Sequence, residues 1–121
     1  MKAARVLVVD DERPLVEVLV RFLEQKGQRA TGVGTAEAAA AALSSGAYDL
    51  VLMDNVLPGA TGMQSLPRLR ALTKAPIYVM SGYTDDDTRK DALLLGATGF
   101  LPKPLEVSEL LAILAALPEP A

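Results

Sequence analysis

The run Asp49-Leu50-Val51-Leu52-Met53-Asp54 sets four consecutive apolar residues between two acids. Four apolar neighbours leave no polar face, which is the pattern of a strand covered by helices on both sides, and therefore of a parallel sheet. Asn55 to Gly62 follows, with Pro58, Gly59 and Gly62, and cannot prolong the strand. Asp54 then falls at the strand's carboxyl end, where open α/β sheets hold their ligands. The rest of the chain reads as support for that carboxylate.

A chain of 121 residues, 50% of them apolar, suits one domain around one core. It has no cysteine and no histidine, which excludes disulfides, thiolate nucleophiles, the usual zinc sites and Ser-His-Asp or Cys-His catalysis. Chemistry is left to carboxylates, hydroxyls and lysine. A net charge of −3 without a basic stripe argues against direct nucleic-acid binding by this segment. No signal-peptide pattern or membrane-length apolar run occurs, so the expected location is the cytoplasm, with no membrane partner.

One unit repeats along the chain: a short apolar run, a turn, and a helical pattern closed by glycine. Strands are expected at Arg5–Val9, Arg29–Val33, Asp49–Asp54, Pro76–Met80 and Thr98–Leu101. The first helix begins near Pro14 and stops at Gly27; the second, alanine-rich, is capped by Thr35, runs from Ala36 to Leu43 and ends at Ser44-Ser45-Gly46. A third helix is expected to start late or to bend, because a start at Gly62 or Met63 would put Pro67 inside it. A fourth opens at Thr84-Asp85-Asp86-Asp87, acids that read as helix-dipole partners, and ends at Gly96; Glu106–Leu117 forms the fifth. The Leu93-Leu94-Leu95 run reads as mostly core, with one leucine left for an interface. Helix one carries more apolar residues, among them Leu15, Val18 and Val20, than one buried face requires, and the surplus suggests a contact surface. Strands alternating with helices at this spacing imply parallel strands joined by right-handed crossovers.

That topology gathers chemical groups on one rim. Asp10 and Asp11 end strand one, Asp54 ends strand three, Ser81 ends strand four, and Lys103 follows strand five. Three close carboxylates repel one another unless a cation holds them, and oxygen ligands suit a hard ion such as Mg²⁺, with Mn²⁺ as a substitute. The ion, Lys103 and the Ser81 hydroxyl can then neutralise phosphoryl oxygens while Asp54 attacks phosphorus.

With these residues in hand, the chain resembles the receiver domain of two-component response regulators over nearly its whole length. Val8-Val9-Asp10-Asp11-Glu12 resembles that family's acidic pair, and Met53-Asp54-Asn55-Val56-Leu57-Pro58 with Gly62 its phosphoacceptor loop. Ser81-Gly82, Gly96-Ala97 with Phe100, and Lys103-Pro104 match the remaining signatures in order, with Leu57 standing where methionine is commoner. The resemblance implies a flavodoxin-like, doubly wound five-stranded parallel sheet in the order 2-1-3-4-5 with five helices. Residues 1–117 would be the receiver and 118–121 a tail or the start of a linker. It further implies that Asp54 accepts phosphate from a sensor histidine kinase or phosphotransfer protein, and that Asp11, Asp54 and the Val56 carbonyl bind Mg²⁺ with Asp10 acting through water. Lys103 would pair with the phosphate across a cis Lys103–Pro104 bond. Ser81 would turn inward and Phe100 rotate, changing a surface on the fourth helix, fifth strand and fifth helix. An effector domain or protein would read that surface, and a second copy of the chain is a candidate partner. Such a chain is a phosphoacceptor switch, limited to phosphotransfer onto itself and autodephosphorylation, and not a turnover enzyme. Val56 and Tyr83 would flank the phosphoryl group. Two other classes stay open: a Mg²⁺-dependent phosphohydrolase, which would want a second acid soon after Asp54, and a phosphate-independent binding module, which would have lost acidic-pocket residues.

Overall fold

The computed structural model describes residues 3–57, 60–82 and 86–118. Five parallel strands, β1 (Arg5–Val9), β2 (Arg29–Val33), β3 (Leu50–Asp54), β4 (Ile77–Ser81) and β5 (Gly99–Pro102), form one sheet in the order β2-β1-β3-β4-β5. Helices α1 (Arg13–Gln25), α2 (Ala36–Ser45), α3 (Gly62–Leu72), α4 (Asp86–Leu94) and α5 (Val107–Ala116) connect and follow them. This is the flavodoxin-like order expected from the sequence.

β3 is buried at every position, because it lies between β1 and β4 and under helices on both faces. One face packs Leu7, Val51, Met53 and Val79 against the small residues Ala36, Ala39 and Ala40 of α2, Leu66 and Leu69 of α3, and Ala92 of α4. The other packs Val6, Val8, Leu50 and Leu52 against Leu19 and Leu23 of α1 and Leu110 of α5. Alternation along each strand sends successive side chains to opposite faces and so divides the core in two.

Several details of the fold differ from the sequence reading. α3 does not start late: it runs unbroken from Gly62 with Pro67 inside. Pro67 is the sixth residue of α3, past the four N–H groups that lack a helical partner, so its missing donor costs one bond of the ladder, which the helix accommodates. Leu93, Leu94 and Leu95 are not core: they are 47%, 84% and 38% exposed, and Ala92 is the residue of α4 that goes under. At 100° per residue, Leu94 falls 200° round the helix from Ala92, on its far side, and Leu93 falls on the flank. The stretch after Asp54 is also more ordered than a plain loop, since Val56–Leu57 pairs antiparallel with Ala60–Thr61 as a small separate ribbon. α2 continues through Ser44, whose hydroxyl donates to Ala40 O at 2.8 Å.

Arg70 near the end of α3 fastens two connections together, donating to Thr73 O at 2.7 Å, Ala75 O at 2.6 Å and Gly96 O at 3.3 Å. Gly96 closes α4 at φ +115°, and a Cβ there would also strike the Arg70 side chain. Among the described residues, no helix is long and apolar enough to cross a membrane.

Candidate functional site

Parallel strands end together, so the residues that follow β1, β3, β4 and β5 share one edge of the sheet. Asp10 leaves β1 with its N–H donating to Val33 O at 3.0 Å, and its Oδ1 accepts from Glu12 N at 2.9 Å, which shapes the turn into α1. Asp54 is the last residue of β3, paired in register with Met80. Lys103 is drawn across the rim because its backbone N–H donates to Ser81 O at 2.8 Å. The bond that follows it, Lys103–Pro104, is cis, as the resemblance implies.

The Lys103 ammonium lies 2.9 Å from Asp10 Oδ2 and 3.1 Å from Asp54 Oδ1, with Glu12 Oε1 farther out at 3.8 Å. Asp10 and Asp54 are 1% and 6% exposed, whereas Asp11 faces solvent. Burial lifts the Asp54 carboxyl above its ordinary pKa; the Lys103 hydrogen bond pulls it down, the neighbouring Asp10 charge raises it again, and a hydrogen bond from the Val56 N–H opposes the rise. Burial also disfavours the charge on Lys103, yet its hydrogen bonds and attraction to Asp10 and Asp54 outweigh that and hold its pKa above the usual value. The site therefore keeps buried negative charge that one cation only partly balances.

Asp10, Asp11 and Asp54 each offer an oxygen within 4.8 Å of the others. Three carboxylate oxygens at that spacing suit a hard divalent ion and poorly suit a soft one. Ser81, 1% exposed, joins the rim from β4. Phe100 stands apart from these groups: it is 8% exposed, pairs in register with Val79, and carries the Arg89 guanidinium 5.5 Å from its ring centre. Val56 is 53% exposed beside Asp54. Tyr83, expected to flank the site, lies outside the described residues. Two participants went unassigned in the sequence. Glu12 reaches Lys103, and its place in the Asp10-Asp11-Glu12 run was the available signal. Asn55 meets Ser81 Oγ through Nδ2 at 3.5 Å, which only the register of β3 against β4 reveals.

The receiver-domain model of response regulators matches residues 6–115. Sensory transduction protein RegX3 of Mycolicibacterium smegmatis is 33% identical over 93% of this chain, which covers 49% of that protein. The crystal structure of a two-component response regulator from Clostridium difficile superposes with a TM-score of 0.90 at 28% identity, covering 93% of each chain. A response regulator of Burkholderia pseudomallei, solved with a phosphorylated aspartic acid, a calcium ion and citrate, gives a TM-score of 0.85 at 28% identity over 96% of this chain and 67% of that one. The chain spans about half the length of the first curated relatives it matches, 48% to 50%. Its acidic cluster fits the Mg²⁺ site of that family. With the fold, the rim and the match over residues 6–115 in agreement, the chain belongs to the response regulator receiver domain family.

Proposed function

We propose that this receiver is a phosphorylation-controlled switch in which Asp54 takes a phosphoryl group from a histidine kinase and the fourth helix, fifth strand and fifth helix pass the change to an effector. The observation that carries this reading is the Asp54 carboxylate, buried yet held at the mouth of the sheet within 3.1 Å of Lys103 and within reach of Asp10 and Asp11. A carboxylate kept charged at that cost suits a nucleophile. An Asp54 oxygen forms a bond to phosphorus as the bond from phosphorus to the phosphohistidine nitrogen breaks, and the nitrogen keeps the electron pair. Lys103 balances charge on the transferred oxygens, and Ser81 donates to one of them.

Asp11, Asp54 and the Val56 carbonyl would hold Mg²⁺, which when bound supplies the positive charge that three carboxylates and a phosphoryl group require. Asp10 suits an indirect role, since its Oδ1 accepts from Glu12 N and its Oδ2 from Lys103. The phosphorylated aspartic acid and calcium ion named for the Burkholderia pseudomallei protein support the same reading here. Residues 1–117 act as the receiver unit, with 118–121 as a tail or linker. The kinase docks in an apolar groove of about 550 Å³ between α1 and α5, lined by Leu15, Val18, Phe22, Pro104, Leu105 and Val107 and placed beside Lys103.

The test is phosphotransfer from a purified kinase, or from acetyl phosphate with Mg²⁺, followed by intact mass. One phosphoryl group on the native chain and none on Asp54→Asn is the expected result. Steady multiple-turnover release of phosphate from simple esters would instead assign a phosphohydrolase, and no response to beryllofluoride a phosphate-independent binding module.

A further inference from the structure

Asn55 is the first residue past β3, and its backbone N–H still donates to Met80 O at 2.9 Å, so the chain has not yet left the line of the sheet. Its side chain consequently spans toward β4, where Nδ2 approaches Ser81 Oγ at 3.5 Å, the long end of hydrogen bonding. The other end of the carboxamide, Oδ1, is buried and meets no donor among the described residues. An acceptor buried in this way costs stability that an apolar residue would not, and so requires an explanation.

We propose that Asn55 is a positioning residue for Ser81, an assignment that rests on the reading of Asp54 as phosphoacceptor. The two ends of a carboxamide have nearly the same shape and opposite hydrogen-bonding character. With Nδ2 toward Ser81, the serine oxygen accepts, and its single proton goes to an acceptor other than Asn55. A phosphoryl oxygen on Asp54, at the neighbouring strand end, is such an acceptor. With the amide turned over, Oδ1 takes the serine proton, and the hydroxyl has none to give the phosphoryl group. With Nδ2 toward Ser81, Oδ1 is left unpartnered among the described residues, so the stability cost is borne by the arrangement that keeps Ser81 a donor.

The experiment is a double-mutant cycle on phosphorylation by acetyl phosphate with Mg²⁺, using the native chain, Asn55→Ala, Ser81→Ala and the double variant. Asn55→Ala lowers the maximal rate about five-fold, the effect of one ordinary hydrogen bond, and leaves the half-saturating donor concentration unchanged. Added to Ser81→Ala, it has no further effect. Equal slowing in both backgrounds, or none with Ser81 intact, overturns the role while leaving Asp54 as phosphoacceptor. Absence of any transfer to the native chain overturns both. In metal-free, unphosphorylated protein the side-chain amide resonances of Asn55 shift in Ser81→Ala, and unmoved resonances would refute the contact.

Discussion

Lys103 Nζ stands 3.1 Å from Asp54 Oδ1, although β4 separates the strands these residues end. The same ammonium holds Asp10 at 2.9 Å, so removal of Asp54 does not leave the cation without a partner. The Asp54 carboxyl has a folded pKa above its ordinary value of 3.8, mainly through burial. As pH rises, the unfolded chain ionises first, and stability falls from about that value until the folded carboxyl has ionised too. Asp54→Asn in buffer without divalent ions should therefore stabilise the fold at neutral pH, on the order of 1 kcal/mol or about 4 °C in Tm. The gain should vanish as pH drops below 3.8. A variant that melts below the native chain at pH 7 would contradict the assignment of net strain to this carboxylate.

Lys103→Met should do the reverse. It withdraws the cation that touches two buried carboxylates, and breaking such a pair typically costs about 3 kcal/mol. Lys103 has a raised pKa in the fold, so its contribution is complete below the ordinary value of 10.5 and is lost as pH climbs through the folded one. Mg²⁺ should recover part of the loss, since a ligand at ten times its Kd adds about 1.4 kcal/mol. Asp11→Ala should abolish that recovery by removing an oxygen ligand. Thermal unfolding with and without Mg²⁺ measures both, and identical Mg²⁺ stabilisation of the Asp11 variant would exclude Asp11 as a ligand.

Val18 tests the groove. It is 64% exposed on α1, so Val18→Glu should leave stability within about 0.5 kcal/mol. A buried charge at a kinase contact should slow transfer from the kinase about ten-fold, which is about 1.4 kcal/mol, while phosphorylation by acetyl phosphate is unchanged. Equal slowing with both donors would move the effect from docking to chemistry.

Arg70→Ala removes three charge-assisted hydrogen bonds to backbone carbonyls that no other described side chain serves. A loss of about 3 kcal/mol is expected. Hydrogen exchange should quicken at residues 73–75 and 95–98 together, because one side chain spans both turns. Exchange that changes in only one turn would mean that Arg70 does not couple them.

How far the sequence disclosed this protein depended on whether a property was local. β1 and β2 match their expected bounds; for β1 this is because a β-branched run halted by acids is read residue by residue. The rim of Asp10, Asp11, Asp54, Ser81 and Lys103 was legible too, since parallel strands place their carboxyl ends on one edge whatever the side-chain detail. The exposure of Leu93–Leu95 was not, because hydrophobicity gives no helical phase when apolar residues are consecutive. Pro67 left the start of α3 open for a related reason: a proline inside a helical pattern marks either a late start or a bend, and nothing local places the start at Gly62. Contacts such as Asn55 with Ser81 or Arg70 with Gly96 join residues 26 positions apart, and nothing local marks them.

Under the proposed function, the lifetime of the phosphoryl group is expected to turn on Val56 and on Tyr83. Val56 follows Asp54 by two places, its backbone N–H donates to the Asp54 carboxylate, and the residue is 53% exposed. A valine has no atom that can orient water opposite the scissile bond, and a tyrosine hydroxyl is too weak a base at neutral pH to activate it. The phosphorylated form is therefore expected to be long-lived. Val56→Asn with Tyr83→Glu should admit and orient water, raising the hydrolysis rate about ten-fold, or about 1.4 kcal/mol of barrier. Val56→Asn alone should give about three-fold, half of that effect on a logarithmic scale. Decay of radiolabelled Asp54 phosphate after removal of the kinase measures all three proteins. A native half-life as short as that of the double variant would mean that these two side chains do not shield the bond, and that solvent access is set elsewhere on the rim.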